Sequence, residues 1–193
     1  MFGIFLARPN RSLCSIMMIF AAYISNGCAG VSGERTTFQR KTGTFSDSAV
    51  VGDFVLKDID GRPHALSDYL GKKTIVISFF AMWCEPCKQE LSKLDNLYHS
   101  HRATGLIVLA ISMDEPQSRG EVRSFMKRRK ISFPVLLDTE SSVTERFNPR
   151  KSAPFNLIVN LAGDIVWSHE GYVPGDELKM EQEVLKVIND AKT

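Results

Sequence analysis

The chain has 193 residues, enough for one domain with a full core and short for two. With 44% hydrophobic and 24% charged residues, its composition is ordinary for a globular protein and excludes a disordered or fibrous chain. Of its 24 Lys and Arg, only Arg8 and Arg11 precede Cys28, which leaves 22 to balance 22 Asp and Glu. The body of the chain is therefore near neutral and carries no electrostatic footprint for nucleic acid.

Arg8 and Arg11 stand before an apolar stretch, Leu13 to Ile24, which is followed by the small-residue run Ser25-Asn26-Gly27-Cys28-Ala29-Gly30. A stretch this short suits the apolar core of a signal peptide and falls below the roughly 20 residues needed to span a bilayer. Residues 1–30 are thus expected to be an export signal, placing the mature chain in the periplasm or on the outer face of the membrane. The Gly27-Cys28 junction resembles a bacterial lipobox, which makes Cys28 a candidate for lipidation and hence for a lipid anchor. Ser25 departs from the aliphatic residue usual at that spacing, so plain cleavage nearby stays open as well. Residues 31–48 are polar with little periodicity and read as a flexible tether. The folded domain is expected over 49–193.

Phe54-Val55-Leu56 and His64-Ala65-Leu66 flank Asp58-Ile59-Asp60-Gly61, a hairpin signal. Ser67 is placed to cap a short helical turn that runs to Leu70-Gly71. The run Ile75-Val76-Ile77-Ser78-Phe79-Phe80-Ala81 has the β-branched and aromatic content of a buried strand. Glu85 to about His101 is helical in period, and Leu106 to Ser112 is a second buried strand, parallel to the first because a helix joins them. Ser118 to Lys130 reads as a helix whose end, Lys127-Arg128-Arg129-Lys130, complements the helix dipole. Then come a short strand, Pro134 to Leu137, and a helical turn or two, Glu140 to Phe147. Phe155 to Val159 and Ile165 to Trp167 form a hairpin about Ala162-Gly163-Asp164. Gly175 to Asp190 closes the chain as an amphipathic helix, with Leu178, Val184, Leu185 and Ile188 expected toward the core. The sum is an α/β domain: a mixed central sheet with helices on both faces and an added N-terminal β-hairpin.

Between the first buried strand and its helix stands Trp83-Cys84-Glu85-Pro86-Cys87. Pro86 falls in the first helical turn, where a missing N–H costs nothing. The unpaired donors and positive end of the helix face Cys84 and favour its thiolate. In such Cys-x-x-Cys sites the nucleophile's pKa drops from about 8.5 to roughly 3.5–7.5. A reversible dithiol/disulfide couple is the natural use, and it calls for no cofactor beyond the Cys84–Cys87 disulfide itself. Structural zinc would need four ligands. The other cysteines, Cys14 and Cys28, lie in the targeting segment, and His99 and His101 do not share a helix face. A purely structural bridge over so short a loop would add little entropic stabilisation.

At about 100° per residue, Glu90 falls about 60° from Cys87, inside the apolar arc made by Leu91, Leu94, Leu97 and Tyr98. A carboxylate there is partly desolvated, which raises its pKa into a range useful for taking the proton of Cys87. Stabilisation of the first helical turn is the plainer reading of the same residue.

From Phe79 to Glu90, with Ala153-Pro154 before a strand and with Gly52-Asp53-Phe54 and Asp60-Gly61 at the start, the chain resembles the TlpA/ResA-like thiol–disulfide oxidoreductases of the thioredoxin fold. The likeness covers about residues 50–190. It implies that Cys84 attacks and Cys87 resolves the mixed disulfide, that Trp83 shapes the rim of the site, and that Pro86 tunes the potential. It also implies a cis bond before Pro154, with the backbone of Ala153 offered to an incoming peptide; Pro134 is the rival position. The buried Asp usual in thioredoxins six residues before the first cysteine is here Ser78, which directs attention to Glu90. The implied partners are proteins with cysteines or disulfides, as in cytochrome c maturation, together with a membrane electron donor. Alternatives are an oxidase or isomerase, a peroxidase, and a copper chaperone using Cys84 and Cys87 as soft ligands. The peroxidatic Pro-x-x-x-Thr-x-x-Cys arrangement is missing around Cys84.

Overall fold

The computed structural model describes residues 51–192. The expected signal, Cys28 and the tether lie outside them. Seven strands form one sheet: β1 (Val55–Asp58), β2 (Pro63–Ala65), β3 (Thr74–Phe80), β4 (Leu106–Ser112), β5 (Val135–Leu137), β6 (Phe155–Val159) and β7 (Ile165–Glu170). Their order is β2-β1-β5-β4-β3-β6-β7. β3, β4 and β5 run parallel, while β6 pairs antiparallel with β3, β7 with β6, and β1 with both β5 and β2. The helices are α1 (Glu85–His101), α2 (Arg119–Arg129), α3 (Ser142–Phe147) and α4 (Asp176–Asp190). This is the thioredoxin arrangement with an N-terminal hairpin added.

The sheet has two buried faces, and strand alternation assigns each residue to one of them. Val76, Phe80, Val108, Ala110 and Ile158 pack with Cys87, Leu91 and Leu94 of α1, Val122, Phe125 and Met126 of α2, and Met180, Val184 and Ile188 of α4. Ile75, Ile77, Phe79, Ile107, Leu109, Ile111 and Leu157 pack on the other side with Val51, Phe54, Leu66 and Val143 of α3. Burial on both faces explains why β3 and β4 read as unbroken apolar runs and not as alternating ones. Gly105, at φ 111°, takes the left-handed conformation that turns the chain from the end of α1 into β4.

Two local expectations are corrected. Ser67 does not cap the turn at Leu66–Asp68; there the Asp68 carboxylate accepts the Ala65 N–H, and the Ser67 N–H is held by Asp53. In α4 the buried stripe is Met180, Val184, Val187 and Ile188, spaced i, i+4, i+7, i+8, while Leu178 is 62% exposed and Leu185 36%. Leu178 and Leu185 make an i, i+7 pair of their own, outside that stripe.

The two faces of α4 differ enough to be separated by truncation. Met180→Ala is expected to cost about 2–5 kcal/mol of stability. Leu178→Ala should stay within about 0.5 kcal/mol. Urea unfolding midpoints of the two variants provide the check.

Candidate active site

β3 is buried along its whole length in the interior of the sheet, between β4 and β6, so the chain leaves the core where β3 ends. The segment from Ala81 to Cys84 makes that exit, and three contacts hold it. Met113 N–H donates to Phe80 O at 2.9 Å, Cys84 N–H to Ala81 O at 3.1 Å, and Met82 N–H reaches both carboxylate oxygens of Asp114, at 2.9 and 3.0 Å. Asp114 is itself fixed by the Ser112 hydroxyl, which donates to Oδ2 at 2.9 Å. Asp114 was not evident from sequence. The available signal is its place: two residues past the end of β4, at the same edge of the parallel strands where Cys84 emerges.

Cys84 is the N-cap of α1, with extended backbone (φ −91°, ψ 102°), and its Sγ accepts the Cys87 N–H at 3.2 Å. A side-chain acceptor at this position satisfies one of the helix's orphan donors. Here that acceptor is a sulfur, so the contact that starts the helix also favours negative charge on Cys84. Pro86 sits within the first turn, exposed, as its missing N–H permits. The Cys84 and Cys87 sulfurs are joined in a disulfide, with Cα atoms 5.3 Å apart. Cys87 is completely buried and Cys84 only slightly less so, at 4% exposure. Beside them Trp83 is 72% exposed, standing out from the surface.

The peptide bond Ala153–Pro154 is cis, and Pro134 is not the position of a cis bond. Ala153 packs against the same apolar cluster that contains Cys84, Cys87 and Met82. Pro154 is buried, and its carbonyl accepts the Gly171 N–H at 2.8 Å.

Glu90 lies one helical turn beyond Cys87, on the face turned to the sheet, and is 2% exposed. Burial pushes its carboxyl up from the usual 4.5 to about 8; the hydrogen bond from Asn156 opposes this, and Asp176 and Glu177 at the start of α4 add to it. Asn156 Nδ2 donates to Glu90 Oε1 at 2.7 Å from the second residue of β6. Asn156 was also missed in the sequence. Its signal is a lone amide within Phe155-Asn156-Leu157-Ile158-Val159, a buried strand where a polar group requires a partner. Nearby, Tyr172 donates through its hydroxyl to Glu177 at 3.0 Å, and Lys93 pairs with Glu177 at 3.3 Å.

Comparison with known proteins places this geometry. Residues 47–168 match the model of the AhpC/TSA family. ResA, a thiol-disulfide oxidoreductase of Bacillus subtilis, is 32% identical over 123 residues, covering 64% of this chain and 66% of its own. The ResA of Geobacillus thermodenitrificans is 29% identical over 134 residues, covering 69% of this chain and 75% of its own. Among solved structures, a Chlorobium tepidum chain assigned as the thiol:disulfide interchange protein DsbE superposes with a TM-score of 0.67 at 26% identity, over 75% of this chain and 99% of that one. The chain belongs to the AhpC/TSA family, and within it is a thioredoxin-fold relative of the ResA and DsbE thiol–disulfide oxidoreductases.

Proposed function

We propose that the chain is an exported thiol–disulfide oxidoreductase that reduces disulfides of partner proteins through Cys84 and Cys87. The observation that carries this reading is a bonded cysteine pair whose outer sulfur is the cap of α1, with a buried carboxyl one turn further along. In the reduced enzyme, the Cys84 thiolate attacks one sulfur of the partner's disulfide. That bond breaks, the partner's other sulfur leaves as a thiolate, and a mixed disulfide remains. Cys87 then gives its proton to the Glu90 carboxylate and attacks Cys84 Sγ. The partner's second thiolate is released, and the Cys84–Cys87 bond closes. Two electrons pass to the partner, which takes its protons from solvent.

Glu90 fits this sequence in the oxidised state seen here. With its carboxyl raised to about 8 it is mostly protonated at neutral pH, as a group that has just received the proton of Cys87 should be. When a dithiol donor reopens the bridge, the same proton returns to Cys87. Trp83 forms part of the rim against which the partner docks, Pro86 stiffens the turn and tunes the couple, and the backbone of Ala153 beside Pro154 receives the partner's extended segment. The Arg-flanked apolar N-terminus supports export. In an oxidising compartment a reductant must be recharged, which calls for a membrane electron donor. Lipidation at Cys28 would keep the domain near that donor.

The redox direction is testable through the potential of the 84/87 couple in a thiol buffer. A value near that of thioredoxin, about −270 mV, is expected, whereas one near that of DsbA, about −120 mV, would make the protein an oxidant.

Replacing Cys87 by Ala should leave a covalent complex with the partner through Cys84, visible on non-reducing gels of cell extracts, and Cys84→Ala should leave none. Glu90→Gln is expected to slow turnover by about 10²-fold or more, the usual share of a positioned acid/base, with attack by Cys84 unchanged in single-turnover stopped-flow.

A stability measurement tests the same carboxyl independently. The folded pKa of Glu90 lies above its usual 4.5, so its stabilising contribution is complete below that pH and is lost as pH rises through about 8. The stability difference between wild type and Glu90→Gln should therefore fall by a few kcal/mol, roughly, across this window. Urea unfolding of the oxidised proteins at a series of pH values reads it directly.

A further inference from the structure

Ser78 and Asn156 are a directly opposed pair in the β3–β6 register. By strand alternation both face α1, among Val76, Phe80 and Ile158. Both residues are fully buried. Asn156 Nδ2 is committed to Glu90 Oε1, while Asn156 Oδ1 and Ser78 Oγ have no hydrogen-bond partner. An unpartnered buried amide oxygen is costly and uncommon in a folded core. It is explained if the amide has work to do in a second orientation.

We propose that Asn156 is a positioning residue that holds Glu90 in both of its protonation states, donating through Nδ2 to a carboxylate oxygen or to the carbonyl oxygen of the acid and, after a half-turn of its amide, accepting through Oδ1 from the acid's O–H. The torsion required is the terminal one of the side chain, which is broad and roughly two-fold. The free Oδ1 means that no other bond must break for the half-turn. Atoms balance at each stage. As Cys87 S–H breaks, the proton forms Glu90 O–H, and Asn156 can receive that O–H through Oδ1 without either group leaving its place. A fixed donor such as Lys would favour the charged state and leave the acid's O–H unmet, and a fixed acceptor would serve only the neutral one. This role rests on the assignment of Glu90 as the acid/base.

The other groups around Glu90 are Lys93 on α1, Tyr172 before α4, and Asp176 and Glu177 on α4, with His169 of β7 bonded to Asp176 at 3.2 Å. Apart from Glu90 itself, Asn156 is the only one of these for which a hydrogen bond to the Glu90 carboxyl is found among the described residues. Its loss should therefore act on the carboxyl directly, whereas the others act through space.

The test is a carbon NMR titration of side-chain-labelled Glu in the oxidised protein. In Asn156→Leu, which is close to isosteric and has no polar atom, the Glu90 titration should move up by about one unit or more, because the charged form loses its donor. In Asn156→Asp, which keeps the shape, the introduced carboxyl and Glu90 should share one proton and titrate as a coupled pair, the second step displaced upward. If Asn156→Leu does not fold, the Asp variant alone decides. A Glu90 titration unmoved in the first, or two independent ordinary carboxyls in the second, would overturn the proposal. The rate–pH profile adds a readout that a merely structural residue would not move. Asn156→Leu should shift its limb upward in wild type and leave the profile of Glu90→Gln unchanged. Failure of the acid/base reading would show separately, as wild-type exchange by Glu90→Gln with the titration still displaced in Asn156→Leu, a result that supports the positioning itself.

Discussion

A helix must begin where β3 stops, and the atom that begins it is a sulfur. β3 is the most thoroughly covered strand of the sheet, paired with β4 on one side and β6 on the other and buried on both faces. The chain can leave only at its end, and within four residues it must satisfy the open N–H groups of α1. Most helices use a hydroxyl or carboxylate for this purpose. Using Cys84 Sγ instead couples fold and reactivity, since the contact that caps α1 is the one that favours thiolate. The double anchor from Asp114 to Met82 N–H then fixes the exit loop that leads from β3 to this sulfur.

Around that cap the core is almost wholly apolar, which makes the exceptions informative. On the α1 face of the sheet, Ser78 and Asn156 interrupt rows of Val, Phe, Ile and Ala, and Glu90 enters the same patch from the helix. Burying a carboxyl is costly unless it is neutral or well bonded. This one is met by a single amide donor, too little to hold it fully charged, so its raised pKa follows from the packing. The carboxylates at the start of α4 push the same way, yet Glu177 itself stays low through the backbone donors of α4's first turn. Two acids near one another are thus driven apart, one by burial and one by a helix N-terminus.

What could be read from the sequence divides along physical lines. The strand–dithiol–helix unit, the parallel crossover to β4, the final hairpin and the burial of Glu90 follow from local periodicity, because each concerns one element and its nearest neighbour. The face of α4 does not. Its apolar residues fit two stripes, and only the sheet beneath selects Met180, Val184, Val187 and Ile188 over Leu178 and Leu185. Asp114 and Asn156 escaped notice for a related reason. Each acts across more than thirty residues of chain, on Met82 and Glu90 respectively, and nothing in their own neighbourhoods names the partner. Both nonetheless leave a trace as polar residues in or just past buried strands, where an unpaired group would be expensive. A lone polar residue in a buried strand is thus a question about a distant element.

On the role proposed for Glu90, its place on α1 bears on how a proton and a sulfur move together. In the common thioredoxin pattern the buried acid belongs to the strand, where this chain has Ser78. Here the strand supplies only a hydroxyl, its cross-strand neighbour supplies an amide, and the acid comes down from α1. An acid on the strand is fixed to the sheet, so any shift of the helix during closure of the bridge changes its separation from Cys87. An acid on the helix, one turn beyond Cys87, is carried by the same rigid element as Cys87. The Cys87-to-Glu90 relation is then preserved by helix geometry, and what varies with helix movement is the contact from Glu90 to the sheet. That contact is made by an amide, a neutral side chain that can donate through one end and accept through the other. With Ser78 in β3 and Asn156 opposite it in β6, the acid of this patch thus stands on the helix, one turn from Cys87, and the sheet meets it through an amide.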